Sequence, residues 1–175
     1  MATASIRILG IDPGSRTTGW GVIDSSGHKS LHVAHGCLAV GAGELPDRLL
    51  KILRGLAELI AEYQPQEVAI EETFVNRANP QSALVLGQAR GAAICAIAGA
   101  GMPMAEYAAA QVKMAIVGNG RADKDQVQHM VKVLLNMQAL KMAADAADAL
   151  AVALTHAHVR GTRVRAGIAL SKSWG

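Results

Sequence analysis

Ile8-Leu9-Gly10-Ile11-Asp12-Pro13-Gly14-Ser15-Arg16-Thr17-Thr18-Gly19-Trp20-Gly21-Val22-Ile23-Asp24 is the stretch from which the rest of the chain is read. Ile6, Ile8 and Ile11 are β-branched, Pro13-Gly14 punctuates, and Trp20, Val22 and Ile23 resume an extended pattern. The stretch therefore predicts a strand, a tight turn and a second strand. Asp12 closes the first strand. An Asp before Pro-Gly is a good turn former, and alone it says no more than that. A carboxylate at a strand end among small residues also has room for a ligand. The positions of the other acids decide between these readings.

Leu31–Val40 predicts a third strand, so three strands precede any helix. Leu45, Leu49, Ile52, Leu53, Leu56, Leu59 and Ile60 then form one apolar stripe of helical period up to Tyr63, with Pro46 suited to the first turn. Gln64-Pro65 ends that helix. Glu67–Glu72 reads as a short strand whose end carries two acids, and a strand following a helix suggests a parallel neighbour for the first strand. The loop 73–79 holds Phe74, Asn76 and Arg77, and Asn79-Pro80 starts a long Ala/Gly-rich helix running to about Ala100. A short strand over Pro103–Tyr107 and a helix from about Ala109 to Val117 follow. Asp123 with Gln126 makes a capping box for a helix to about Met137, and Asp145 to Val159 is the last helix.

With 175 residues, 51% hydrophobic and 18% charged, the chain suits one globular domain large enough to bury a core. One Phe, two Tyr and two Trp leave that core to aliphatic residues and Met. No run of about 18 uncharged apolar residues suggests a membrane span, and the N-terminus lacks the layout of a secretion signal. Cys37 and Cys95 stand apart without metal-type spacing, which predicts reduced, structural thiols and a cytoplasmic protein. The net charge of +3 is uneven. Residues 159–175 hold Arg160, Arg163, Arg165 and Lys172 with no acid, leaving 13 of the 17 basic residues to balance 14 acids elsewhere. A basic tail suits a polyanion, though such tails are often only solvated.

Asp145 and Asp148 stand three apart at the start of the last helix and so share a face, among alanines that imply tight packing. Asp145 could simply cap the helix, and Asp148 could simply favour its positive end. Taken with Asp12 and Glu71 or Glu72, however, they suggest a site for hard divalent cations, because grouped carboxylates are costly without one. No His or Cys cluster offers a rival zinc site. His156 and His158, two apart on a helix, point away from each other and read as partners of the helix C-terminal dipole.

Gly10-Ile11-Asp12-Pro13-Gly14-Ser15, Ala69-Ile70-Glu71, Leu86-Gly87-Gln88-Ala89-Arg90-Gly91 and Ala144-Asp145-Ala146-Ala147-Asp148-Ala149-Leu150 together resemble the motifs of the RuvC family. Gln111-Val112-Lys113 and Gln126-Val127-Gln128-His129-Met130 do so as well. That family comprises the bacterial crossover-junction endodeoxyribonucleases, or Holliday junction resolvases. The likeness runs from residue 6 to about 160 in the same order. It implies an α/β RNase H-like fold, a five-stranded mixed sheet flanked by helices, with a nuclease domain at 1–160 and a basic tail at 161–175. It implies a homodimer nicking opposed strands of four-way junction DNA, in association with a branch-migration helicase complex.

By motif position, the resemblance makes Asp12, Glu71, Asp145 and Asp148 the catalytic, metal-binding acids. Glu72 falls outside the motif, and strand alternation turns it to the other face. Two Mg²⁺ ions per site, replaceable by Mn²⁺, would activate water and stabilise the leaving 3′ oxygen. Lys113 and Lys124 fall where the family has basic residues near DNA, and solvated helix-end lysines remain an alternative. Phe74, the sole Phe, matches an aromatic implicated in base stacking, although a lone aromatic is more often core. Arg77 is the other expected DNA contact, in a loop whose pattern is not fixed. The rivals are an ATPase of the sugar-kinase and actin type, a non-catalytic junction-binding module, and a related nuclease acting on RNA. The first needs two such domains, and 175 residues hold one.

Overall fold

The structure is a computed structural model, and it describes residues 5–26, 29–73 and 79–166. Strands β1 (Ile6–Asp12), β2 (Thr17–Ser26) and β3 (Lys29–Ala39) come first, followed by helix α1 (Leu45–Tyr63) and strand β4 (Glu67–Glu71). Helix α2 (Pro80–Gly99), strand β5 (Met104–Tyr107) and helices α3 (Ala109–Val117), α4 (Lys124–Leu134) and α5 (Ala144–Arg165) complete the order. The sheet runs β3-β2-β1-β4-β5. β1 pairs antiparallel with β2 and parallel with β4, so the sheet is mixed, as the hairpin followed by a helix crossover requires.

Alternation along each strand sorts residues onto two faces. Leu9 and Ile11 of β1 join Val68 and Ile70 of β4 in a core with Ile52 and Leu56 of α1 and Ala89 and Ile97 of α2. Ile6 and Ile8 face the other way, onto α3, α4 and α5. Gly10 lies on that second face. A Cβ there would overlap the carbonyl oxygen of Ala149 in α5, and one on Gly19 would overlap the carbonyl oxygen of Asp145. Glycine at these two positions lets the α5 backbone rest directly on β1 and β2. The alanines of α5 allow the same close approach from the helix side, with Ala149, Ala151 and Ala153 fully buried.

Several boundaries differ from expectation. α4 stops at Leu134 rather than near Met137, because Asn136 takes a left-handed φ of 54° that the helix cannot pass through. α5 continues past Val159 to Arg165, since Gly161 inside it is tolerated rather than terminating. Asp123 does cap α4: its carboxylate accepts from the Gln126 N–H at 2.8 Å, while the Gln126 side chain accepts from the Asp123 N–H. One described helix, α2, is long and apolar enough to cross a membrane by length and composition alone. Cys37 and Cys95 are free, as expected, and both are exposed.

Candidate active site

Asp12 and Glu71 end adjacent parallel strands. Asp12 stands two residues beyond Gly10, and Glu71 two beyond Ala69 of the same core, so both turn toward α5. α5 starts above them and presents Asp145 and Asp148 from its first turns. Ligand oxygens of Asp12, Asp145 and Asp148 all lie within 4.8 Å of one another. Glu71 stands outside that tightest trio, and with Asp148, Lys113 and Lys124 it lines an adjoining cavity of about 180 Å³. Glu72 lies one residue past β4, and its N–H still donates to the Tyr107 carbonyl of β5 at 2.9 Å.

The charge balance shows what this cluster lacks. Burial, reinforced by the charges of Glu71, Asp148 and Asp145, pushes the Asp12 carboxyl up to about 8, with only Lys124 pulling it down. Burial and Asp148 likewise raise Glu71, against Lys124 and Lys113. The Lys124 ammonium donates to Asp148 at 2.7 Å, and that bond holds it above the ordinary lysine range. No other ion pair among the described residues reaches the four acids. Two lysines, only one of them in an ion pair with the acids, against four carboxylates leave room for cations. Carboxylate oxygens with no Cys or His among them fit a hard divalent ion such as Mg²⁺ or Mn²⁺ and do not fit a zinc centre.

The four acids and both lysines expected from the sequence therefore meet at one place, from β1, β4, α3, α4 and α5. Phe74 and Arg77 lie outside the described residues. Sequence reasoning read Cys37 as a structural thiol and gave it no place beside the acids. It pairs with Gly19 across β2–β3, and its thiol is raised by burial and by the neighbouring Asp145, and it accepts a bond from the Ala146 N–H. His156 also differs from expectation. Only 8% exposed, it faces Tyr107 at 2.8 Å and Glu67 at 2.6 Å instead of serving the helix end.

Comparisons with known proteins bear on the same residues. A family model described as crossover junction endodeoxyribonuclease RuvC matches residues 8–156. The chain is 55% identical over 170 residues to the protein of that name from Xanthomonas campestris, covering 96% of this chain and 97% of that one. The Stenotrophomonas maltophilia protein is 56% identical over 172 residues, covering 97% and 98%. Among solved structures, Thermus thermophilus RuvC in complex with a Holliday junction substrate superposes with a TM-score of 0.83 at 33% identity, covering 90% of this chain and 96% of that one. The yeast mitochondrial Holliday junction resolvase Ydc2 has a TM-score of 0.62 at 10% identity, a likeness of fold alone. The match starts in β1, ends in α5 and so takes in all four acids, and by it this chain belongs to the RuvC family of crossover junction endodeoxyribonucleases.

Proposed function

We propose that the chain resolves four-way DNA junctions by paired nicks, with Asp12, Glu71, Asp145 and Asp148 as its catalytic acids. The observation that carries this is the convergence of acids on Asp12, whose carboxyl is pushed to about 8 when no cation balances them. Two Mg²⁺ ions held there would supply Lewis acidity to an attacking water and to the leaving 3′ oxygen. The protein's own part is to fix the donors. Gly10 and Gly19 set the height of α5 above the sheet, and so set Asp145 and Asp148 against Asp12. Lys124, 57% exposed at its side chain, and Lys113 on the rim offer charge to a phosphate, and Lys124 can exchange Asp148 for it. Phe74 and Arg77, close in sequence to Glu71, are proposed as a base-stacking contact and a phosphate contact.

Paired nicks need two sites, and α2 supports a homodimer. Leu84, 60% exposed, shares an open helix face with Gly87, Gly91, Cys95 and Ala98. A Cβ on Gly87 or Gly91 would meet nothing within 4 Å, so nothing described in this chain requires glycine there. Glycine inside a helix costs about 1 kcal/mol relative to alanine, and close approach by a second helix accounts for it. By resemblance, a branch-migration helicase complex is the further partner, and work on bacterial DNA implies the cytoplasm. The test is cleavage of a synthetic four-way junction, labelled on each strand, beside linear duplex with Mg²⁺. We expect symmetric nicks on the junction alone, lost in Asp12→Asn. Binding without cutting would instead make the protein a junction-binding module, and cutting of RNA in preference to the junction would favour the ribonuclease reading.

A further inference from the structure

The far half of α5 borders a second cavity, of about 460 Å³, that runs along the edge strand β5 and is lined by none of the four acids. Eight helix residues separate Asp148 from His156, a rise of about 12 Å, and four strand residues separate Glu71 from Glu67, about 13 Å. The two cavities share no lining residue. The volume lies within the span of about 300–1,000 Å³ usual for small-molecule sites. Pro103, Met104, Ala115 and Val159 give the walls their apolar character, and Tyr107 adds an aromatic ring.

The polar groups on its lining are mostly committed. Glu67 accepts from His156 and from Arg160, and Glu106 pairs with Arg90 at 2.7 Å. Burial works against the Glu67 carboxylate, yet the bonds from His156 and Arg160 outweigh it and hold it below the ordinary range. Burial raises the Tyr107 phenol to about 12, so it stays neutral. The remaining charge is Arg163, which lines the cavity and makes no ion pair among the described residues. An apolar chamber with one uncommitted guanidinium selects an apolar body carrying an anionic head.

We propose that this cavity is a ligand site, separate from the nuclease centre, for a compact aromatic anion whose acidic group pairs with Arg163 and whose ring lies against Met104, Tyr107 and Val159. The test uses two probes of nearly equal shape: 8-anilinonaphthalene-1-sulfonate and its uncharged counterpart N-phenyl-1-naphthylamine. Each is titrated into the full chain in Mg²⁺ buffer, with binding read from the methionine methyl signals. We expect the sulfonate to shift Met104 saturably at one site per chain and to leave Met130 and Met142 unmoved. Arg163→Gln, a change at an exposed residue, should weaken the sulfonate about tenfold and leave the neutral probe unchanged. Val159→Trp should fill the chamber and abolish both. Equal affinity for the two probes, indifference to Arg163→Gln, or binding that survives both substitutions would overturn the proposal.

Discussion

At Asp12 the chain holds a carboxyl that burial, with Glu71, Asp148 and Asp145, keeps protonated up to about pH 8 in the absence of a cation. A native value raised above the unfolded one means that the folded state binds the proton more tightly. Its contribution to stability is full below the unfolded value near 4 and is lost as pH rises toward 8. In chelator, melting temperature should therefore fall across that window. Asp12→Asn should flatten the slope and raise stability at pH 8 by roughly 1–3 kcal/mol, a few degrees by scanning calorimetry. A lower melting temperature for this variant in chelator would mean that Asp12 supports the fold instead. Cys37 belongs to the same neighbourhood. Alkylating its exposed thiol with a bulky maleimide should weaken Mn²⁺ binding, while Cys37→Ser should leave it within about twofold, read by calorimetric titration.

Among the elements, α5 carries the most consequence, because its contact with the sheet sets the geometry of the acids. Gly19→Ala puts a methyl where the Asp145 carbonyl lies, so the first turn of α5 must move. Overpacking of this kind costs about 1–3 kcal/mol, and we expect Mn²⁺ affinity to fall at least tenfold alongside. Unchanged affinity would separate the helix height from the site. The strands, the α4 cap and the shared face of Asp145 and Asp148 were legible in the sequence, because each rests on short-range alternation or on spacing within one helix, whereas the grouping of those two acids with Asp12 and Glu71 came from the motif resemblance. His156 was not legible. Its partners Tyr107 and Glu67 stand 49 and 89 residues away, and helix spacing alone shows only neighbours on the same helix. The end of α4 was missed for a different reason: Asn136 is the stop signal, but the apolar pattern continues past it to Met137.

For the whole molecule, the open face of α2 and the uneven charge make separate claims. Leu84→Asp places a charge on a face we assign to the partner subunit, so it should shift sedimentation toward monomer while leaving the melting of the monomer's fold in place. A strict monomer in the unaltered chain would remove the basis for paired nicks. Junction affinity should fall steeply with salt, since phosphate neutralisation releases counterions, and Lys113→Ala should reduce the logarithmic slope by about 1 per site. A slope that does not change would remove Lys113 from the DNA surface. The most direct measurement remains at the four acids: titration of the Asp12 side-chain carboxyl by carbon-13 NMR, first in chelator and then in Mg²⁺. We expect its midpoint near 8 without metal, falling into the ordinary carboxylate range once Mg²⁺ is added. A midpoint near 4 that ignores Mg²⁺ would mean that these acids neither crowd one another nor hold a cation.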